Sequence, residues 1–170
     1  MKIAAFCVLA AGSVAMGQTI NPDFGGCYAI RDLGPPPGVP QSLGGITFSR
    51  TDPDVLLIGG GANGSLGAVY SIRVTRNVNG SIDGYVGDAT LVSPAPNIDG
   101  GLEYGPGGVL FYTLYPTHQV GQIKPGSTSP DRFITPASSF AGSLGSLAFV
   151  PPGFPGAGRL KMASYNSGQW

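Results

Sequence analysis

The chain has 170 residues, enough for one domain with its own core, and 11% of them are charged. The formal net charge is zero and no Lys/Arg cluster occurs, which argues against nucleic acid and against an anionic membrane surface as partners. Glycine (29) and proline (16) exceed a quarter of the chain, yet 42% of the residues are hydrophobic. Because that apolar surface can offset the entropy of ordering, the composition predicts short strands joined by Gly/Pro turns rather than disorder.

The first 17 residues have the pattern of a secretory signal peptide. Lys2 gives a positive start, residues 3–11 are apolar, and AMG at 15–17 supplies small residues at the −3 and −1 positions before Gln18. The apolar stretch is too short to span a bilayer. We therefore predict cleavage after residue 17 and export to the periplasm, the cell surface or the medium.

Residues 18–43 form a proline-rich lead-in, including GPPPGVP at 34–40, and this composition predicts extended backbone. Cys27 lies within it. Removal of the signal peptide takes Cys7 away, so no intramolecular disulfide is possible in the mature chain. We expect Cys27 to be a buried free thiol, with an intermolecular disulfide as the alternative.

Three short stretches after the lead-in share one pattern: small residues, an aliphatic residue, a spacer and an aromatic residue. They are GGITF (44–48), GGLEY (100–104) and GSLAF (145–149). Their starts are separated by 56 and 45 residues, near the roughly 40–50 residues of one propeller blade. We interpret each as the first strand of a structural repeat.

Each first strand is followed by a turn and then by a dense apolar run: VLLIGG (55–60), VLFYTLY (109–115) and RLKMASY (159–165). A strand that is apolar on both faces must be covered on both faces. A third kind of strand, AVYSIRVTR (68–76), alternates apolar and polar residues, which predicts a strand with one buried and one solvent-exposed face. No segment has sustained helical periodicity, so the sequence predicts an all-β chain.

Over residues 44–170 this order and spacing of repeated strands resembles a β-propeller of the kind found in bacterial secreted NHL-like, YncE-like and SMP-30/gluconolactonase-like proteins. The WD dipeptide, the kelch motif and the Ser-x-Asp-x-Gly-x-Thr-Trp box are absent, so the resemblance concerns architecture. Three blades cannot close a ring, which usually needs four to eight. We therefore expect these blades to be the N-terminal part of a longer propeller; the alternative is a small β-sandwich.

The GPGG stretch at 105–108 could be a phosphate-binding loop or a turn. A phosphate loop leads into a helix N-terminus, often with Lys, because backbone N–H groups and the helix dipole hold the anion. Here GPGG leads into a strand and no Lys follows. Pro106 followed by Gly107 predicts a type II turn.

The segment from Asn79 to Thr90 has oxygen-bearing side chains spaced as in a calcium loop. Asn79, Ser81 and Asp83 occupy the first, third and fifth positions, and Gly84 the sixth. Asn replaces the usual first Asp, Thr90 replaces the bidentate acid, and no helices flank the segment. A solvated hairpin loop is therefore the preferred interpretation, with a weak Ca²⁺ site as the alternative.

Asp99 is the most interesting acidic residue, because it directly precedes GGLEY, the first strand of the second repeat. The resemblance to SMP-30-like lactonases implies that a carboxylate at this position could hold a divalent metal such as Ca²⁺ or Zn²⁺. The equivalent residues of the other repeats are Leu43 and Leu144, and catalytic metals generally need three or more protein ligands. A capping acid at a turn is the alternative.

His118, the sole histidine, lies in YPTHQVGQIKPG and is expected in an exposed loop, because no Cys, Asp or Glu is nearby in sequence. No G-x-S-x-G elbow occurs, and no catalytic set is assembled. We therefore expect a secreted or cell-surface binding or scaffold module without a cofactor, whose partner is an extracellular protein or a small molecule. The alternatives are an SMP-30-like metal-dependent hydrolase and a purely structural extracellular protein.

Overall fold

The structure is a computed structural model and describes residues 19–26 and 28–168. The chain divides into two compact units, residues 1–32 and 33–170. In the first unit the Phe24 N–H donates to the Asn21 carbonyl at 2.9 Å, and the Phe24 and Tyr28 rings meet edge to face. The predicted signal peptide and Cys27 lie outside the described residues.

The described residues of the second unit form ten strands in three antiparallel sheets. Sheet A consists, in spatial order, of β1 (Ile46–Phe48), β2 (Val55–Gly60), β3 (Ala68–Arg76) and β4 (Ile82–Pro94). Sheet B consists of β5 (Ile98–Tyr104), β6 (Leu110–Leu114), β7 (Gln119–Ile123) and β8 (Arg132–Ile134). Sheet C consists of β9 (Leu144–Phe149) and β10 (Leu160–Ser164).

The all-β prediction is confirmed, since the described residues contain no α-helix and only a short 3-10 turn at Pro106–Gly108. Each of the three repeated stretches contributes the first strand of a sheet, and each apolar run forms the second strand. Gly107 has φ +69° and ψ +7°, the values that a type II turn requires at its third residue. The GPGG stretch is therefore the predicted turn.

The three sheets share one pairing register between their first and second strands. The aliphatic residue of each first strand lies opposite a second-strand residue, in the pairs Ile46–Ile58, Leu102–Tyr112 and Leu147–Met162. The aromatic residue lies opposite a leucine in every sheet, in the pairs Phe48–Leu56, Tyr104–Leu110 and Phe149–Leu160. The sequence repeat is therefore also a repeat of strand pairing, with turns of different length between the strands.

The small residues that open each first strand allow neighbouring first strands to approach closely. The Gly45 N–H donates to the Asp99 carbonyl at 2.7 Å, which joins β1 to β5. A Cβ atom added at Gly45 would lie 2.6 Å from the backbone of Gly101, and one added at Gly100 would lie 2.5 Å from the Gly145 carbonyl. Larger residues at Gly45 and Gly100 would therefore clash with backbone atoms, which have little freedom to move.

Sheet B lies between the other two sheets and supplies most of the core. The cluster between sheets A and B includes Leu57, Val69, Leu102 and Tyr112, all buried. The cluster between sheets B and C is formed by Val120, Leu144 and Leu147, packed against partly buried residues such as Phe111 and Met162. Residues of β6 thus face both neighbours, as the apolar character of that strand on both faces predicts.

The end of the lead-in packs on the outer face of sheet A, the face that points away from sheet B. Val39 is buried in a cluster with Leu56, Ile58, Ile72 and Val74. The backbone there is not uniformly extended, because the Val39 N–H donates to the Pro36 carbonyl at 3.2 Å in a turn. Residues 33–43 therefore act as part of the β-unit rather than as a free linker.

The close approach of the first strands can be tested with a matched pair of glycine substitutions. We expect Gly100→Ala to lower the free energy of unfolding by about 1–3 kcal/mol, because the new Cβ atom overpacks against backbone. Gly145→Ala, at the equivalent position of the third repeat, meets no described atom within 4 Å. It should be neutral or stabilising by about 0.4–1 kcal/mol.

Urea unfolding at low protein concentration, followed by circular dichroism, measures both effects. Equal stabilities for the two variants would contradict the packing of β5 against β9.

Candidate functional site

A polar cleft of about 510 Å³ opens where the first strands begin and the second strands end, which we call the entry end. Asn63 follows β2, Asp99 lies near the start of β5, and His118 lies in the turn between β6 and β7. Ser143 immediately precedes β9, and Asn166 follows β10. All three sheets therefore contribute polar side chains to one cleft.

Left-handed backbone at non-glycine residues is concentrated at the entry end. The described residues of this kind are Ser42, Asn63, Asn97, His118 and Ser143, with φ between +53° and +65°. Three of them, Asn63, His118 and Ser143, line the cleft. Such backbone costs of order 1–3 kcal/mol per residue and clusters at functional sites, where the surrounding structure holds it in place.

Three of these left-handed residues make the same hydrogen bond at the start of a first strand. The carbonyls of Ser42, Asn97 and Ser143 accept hydrogen bonds from residues that follow the second strands, at 2.8–2.9 Å. The donors are the N–H groups of Ala62, Tyr115 and Tyr165. This bond ties the start of each first strand to the end of its second strand, so the side chains around the cleft stand on a fixed backbone.

His118 joins the β6–β7 turn to the segment that precedes β9. Its Nδ1 atom accepts a hydrogen bond from the Ser143 N–H at 2.5 Å. The ring packs edge to face with Tyr115, with 5.8 Å between centroids, and lies against Gly142. Because Nδ1 accepts, the proton of the neutral imidazole is on Nε2, so the ring can offer a donor.

The expectation that His118 lies in an exposed loop differs from the structure, in which the residue is half-buried. Its neighbours Tyr115 and Ser143 are brought to it by the β6–β7 turn and by the start of β9. No local pattern could reveal the contact with Ser143, which is 25 residues away in the chain.

Asp99 lies in the cleft with its backbone fixed by the contact between β1 and β5. Its carbonyl accepts the Gly45 N–H, and its side chain lines the cleft. Partial burial raises the pKa of the Asp99 carboxyl above 3.8, while a hydrogen bond from the Gly100 N–H opposes that rise. The carboxylate is therefore partly desolvated, which strengthens its attraction for a hydrogen-bond donor.

Tyr115 and Tyr165 complete the cleft with aromatic surface. Tyr165 is 87% exposed and Tyr115 is 41% exposed, so both rings are accessible to solvent. A tyrosine ring combines an apolar body with a polar tip, which suits contact with small ligands. The cleft thus offers a carboxylate, two amide side chains, an imidazole donor and two rings.

The predicted calcium-loop residues lie elsewhere, at the β3–β4 hairpin. The Asn77 side chain closes the turn by accepting the N–H groups of Asn79 and Ser81 at 2.9 and 3.1 Å. Asp83 lies in β4 and accepts a hydrogen bond from the Thr75 hydroxyl at 2.6 Å. The weak Ca²⁺ site stays a prediction, although Asp83 is already engaged in a hydrogen bond along the hairpin.

The predicted role of Asp99 as a metal ligand also stays a prediction. His118 is a residue of metal-ligating type that lines the same cleft. Within residues 19–26 and 28–168, no three His, Cys, Asp or Glu side chains are grouped closely enough to hold a metal ion. Asp99 and His118 together would supply two protein ligands, fewer than the three typical of a catalytic zinc.

A second cavity, of about 410 Å³, lies at the opposite end of sheets A and B. It is lined by residues that include Arg50, Tyr104, Lys124 and Ser127. The Arg50 guanidinium lies over the Tyr104 ring at 5.9 Å, and Lys124 lies 4.0 Å from the Asp131 carboxylate. The entry-end cleft is the stronger candidate, because residues from all three sheets converge in it.

Comparisons of the chain with protein-family models, with curated proteins and with solved structures found no match. In the described part of the chain, no helix has the length and apolar character needed to cross a bilayer.

The raised pKa of Asp99 predicts a pH-dependent effect of Asp99→Asn. The folded chain holds the carboxyl proton more tightly than the unfolded chain, so this group's contribution to stability is present below pH 3.8 and is lost as the pH rises through the folded pKa. Asparagine cannot lose a proton. We therefore expect the free energy of unfolding of Asp99→Asn, relative to that of the unmodified chain, to be higher at pH 7 than at pH 3.

Urea unfolding at both pH values measures this change. Asp88→Asn, on an exposed part of β4, controls for the loss of one negative charge. A stability difference for Asp99→Asn that is the same at both pH values would contradict the partial desolvation of Asp99.

Proposed function

We propose that the chain is an exported binding module of propeller-like blades, and that its entry-end cleft takes a small hydroxyl-rich ligand of the oligosaccharide class. The observation that carries the proposal is the convergence of Asp99, His118 and two tyrosine rings in one cleft. The polar side chains stand on backbone that is held by hydrogen bonds and, at three positions, is left-handed.

The blade interpretation is supported by the shared register of the three sheets and by the contact of their first strands. In a propeller, each blade is a four-stranded antiparallel sheet and the blades surround a central channel. Sheets A and B have four strands in sequential order, and β5 lies against both β1 and β9. A cleft at the ends of the first strands would then lie beside the central channel, where several blades can contact one ligand.

The hydrogen-bonding groups of the cleft suit hydroxyl groups. An ionised Asp99 only accepts, the His118 Nε2–H donates, and the side chains of Asn63 and Asn166 do both. A sugar hydroxyl can donate to a carboxylate and accept from an amide or imidazole N–H. Such bonds fix the orientation of a ligand, while specificity comes from their number and spacing.

The negative charge of the cleft disfavours anionic ligands, and its aromatic rings favour sugar rings. Asp99 is the one charged side chain among the lining residues that the structure describes, and no Lys or Arg accompanies it. A phosphate, sulfate or carboxylate would be repelled by it. The accessible rings of Tyr115 and Tyr165 can pack against the apolar faces of sugar rings, which have C–H groups on one side.

Calorimetric titration with a panel of neutral oligosaccharides (hexamers of glucose, N-acetylglucosamine, xylose and mannose) tests the proposal. We expect at least one to bind with a Kd between about 10 μM and 1 mM, as few ordered contacts allow. Asp99→Asn should weaken binding about 10–100-fold, because a hydrogen bond to a charged group contributes about 1.5–3 kcal/mol. Tyr165→Ala should weaken it about 2–10-fold.

Asp88→Asn and Tyr28→Ala, both outside the cleft, are the matched controls and should leave the Kd unchanged. A sulfated oligosaccharide of the same length should not bind. The proposal is wrong if none of the neutral oligosaccharides binds, or if Asp99→Asn and Tyr165→Ala bind as the unmodified chain does.

A further inference from the structure

We propose that the cavity of about 410 Å³ at the opposite end of sheets A and B is a second binding site, which takes a small carboxylate with an apolar body. We call it the far cavity. Its volume lies within the roughly 300–1,000 Å³ of small-molecule pockets. The proposal does not rest on the oligosaccharide proposed for the entry-end cleft, because the two cavities share no lining residue.

The far cavity is formed where the first strands of sheets A and B end. The turn after β1 supplies residues 49–51, and the turn between β5 and β6 supplies Gly107 and Gly108. The loop after β7 supplies residues 124–127. Because a hydrogen bond between β1 and β5 holds the two sheets together, these turns stand at fixed positions around the cavity. Apolar and aromatic side chains complete the lining, and they are Val92, Tyr104, Leu110 and Ile123.

Arg50 brings to the far cavity hydrogen-bond donors that no described residue uses. Its guanidinium lies over the Tyr104 ring, 5.9 Å from the centroid, and against Gly108, where an added Cβ atom would lie 2.6 Å from Nη1. Within residues 19–26 and 28–168, Arg50 makes no ion pair and no hydrogen bond. Contact with a ring face leaves the in-plane N–H groups without acceptors. Those donors match the two oxygens of a carboxylate.

The positive charge of Arg50 is not balanced by a neighbouring acid. Asp52 and Asp54, which are close to it in sequence, pair instead with Arg73 and Arg76 at 2.6 and 2.8 Å. The described residues that line the far cavity include no Asp or Glu. A cavity with an unbalanced positive charge attracts anions.

Lys124 is the second cation of the lining, and Asp131 balances its charge. The Lys124 Nζ lies 4.0 Å from the Asp131 carboxylate, which is beyond hydrogen-bond distance. The carboxylate instead accepts the Lys124 N–H at 2.8 Å and the Ser127 hydroxyl at 3.0 Å. Since the Lys124–Asp131 pair is neutral as a whole, Arg50 gives the far cavity one net positive charge. That charge suits a singly charged anion.

The apolar lining favours a carboxylate with a hydrocarbon body over a small inorganic anion. Leu110 and Ile123 are buried, and Tyr104 is half-buried. Burial raises the pKa of the Tyr104 hydroxyl, while the Arg50 charge opposes that rise. A hydrogen bond in such partly desolvated surroundings is stronger than in water. Phosphate and sulfated sugars gain little from these walls, because they have little apolar surface to bury.

Nuclear magnetic resonance titration of the isotope-labelled full chain tests the proposal with matched ligands. The carboxylates are benzoate, phenylacetate, indole-3-acetate and hexanoate, and the controls are their neutral primary amides and inorganic phosphate. We expect at least one carboxylate to bind with a Kd between about 50 μM and 5 mM, as few ordered contacts allow. It should shift the backbone signals of Gly107, Gly108 and Gly126. The matching amide and phosphate should bind about tenfold more weakly.

A pair of arginine substitutions separates the far cavity from general charge effects. Arg50→Gln should weaken binding of the carboxylate about 10–100-fold, because it removes charge-assisted hydrogen bonds. Arg50 is exposed, so this variant should keep the urea midpoint of the unmodified chain. Arg132→Gln removes an exposed charge of sheet B outside the cavity. It is the matched control and should leave the Kd unchanged.

The proposal is overturned if no carboxylate binds, if the amides or phosphate bind as tightly as the carboxylates, or if Arg50→Gln binds as the unmodified chain does. Shifts at Asp99 and His118 instead of Gly107 and Gly108 would also overturn it, because they would place the ligand in the entry-end cleft. Oligosaccharide titration of Arg50→Gln reports on that cleft alone, so the two proposals can fail independently.

Discussion

The contact between neighbouring first strands is the constraint on which the rest of the structure depends. Gly45 and Gly100 let backbone approach backbone, at distances that no Cβ atom permits. The hydrogen bond from the Gly45 N–H to the Asp99 carbonyl fixes the position of β1 along β5, and with it the position of sheet A relative to sheet B. Because the sheets are held there, their apolar second strands stack, and the cores between sheets A, B and C follow.

The same constraint assembles the candidate site. When first strands begin side by side, the loops that enter them and the turns that leave the second strands meet at one end. Asp99 shows the connection most directly, since its carbonyl takes part in the strand contact while its carboxyl lines the cleft. The energetic cost of left-handed backbone at Asn63, His118 and Ser143 is met by the stability of the sheets beneath them.

Much of the fold was predictable, because strand signals are local. The alternation of AVYSIRVTR and the apolar run VLLIGG gave the full extents of β3 and β2. The Pro106–Gly107 pair predicted its turn, because only certain residues fit its dihedral angles. Of the candidate site, the sequence points to Asp99 because it adjoins the GGLEY repeat, although the structure places it within β5 rather than before it. The sequence does not point to His118, because its partner Ser143 comes from another sheet. The packing of Val39 on sheet A was missed for the same reason.

Hydrogen exchange at the Gly45 amide tests the central claim most directly. Its N–H is buried and bonded to the Asp99 carbonyl at 2.7 Å, at the contact between two sheets. If the first strands hold the sheets together, this amide should exchange only through global unfolding, with a free energy close to that from urea unfolding. Exchange at a rate close to that of an unstructured peptide, while the amides of β2 and β3 stay protected, would contradict the account.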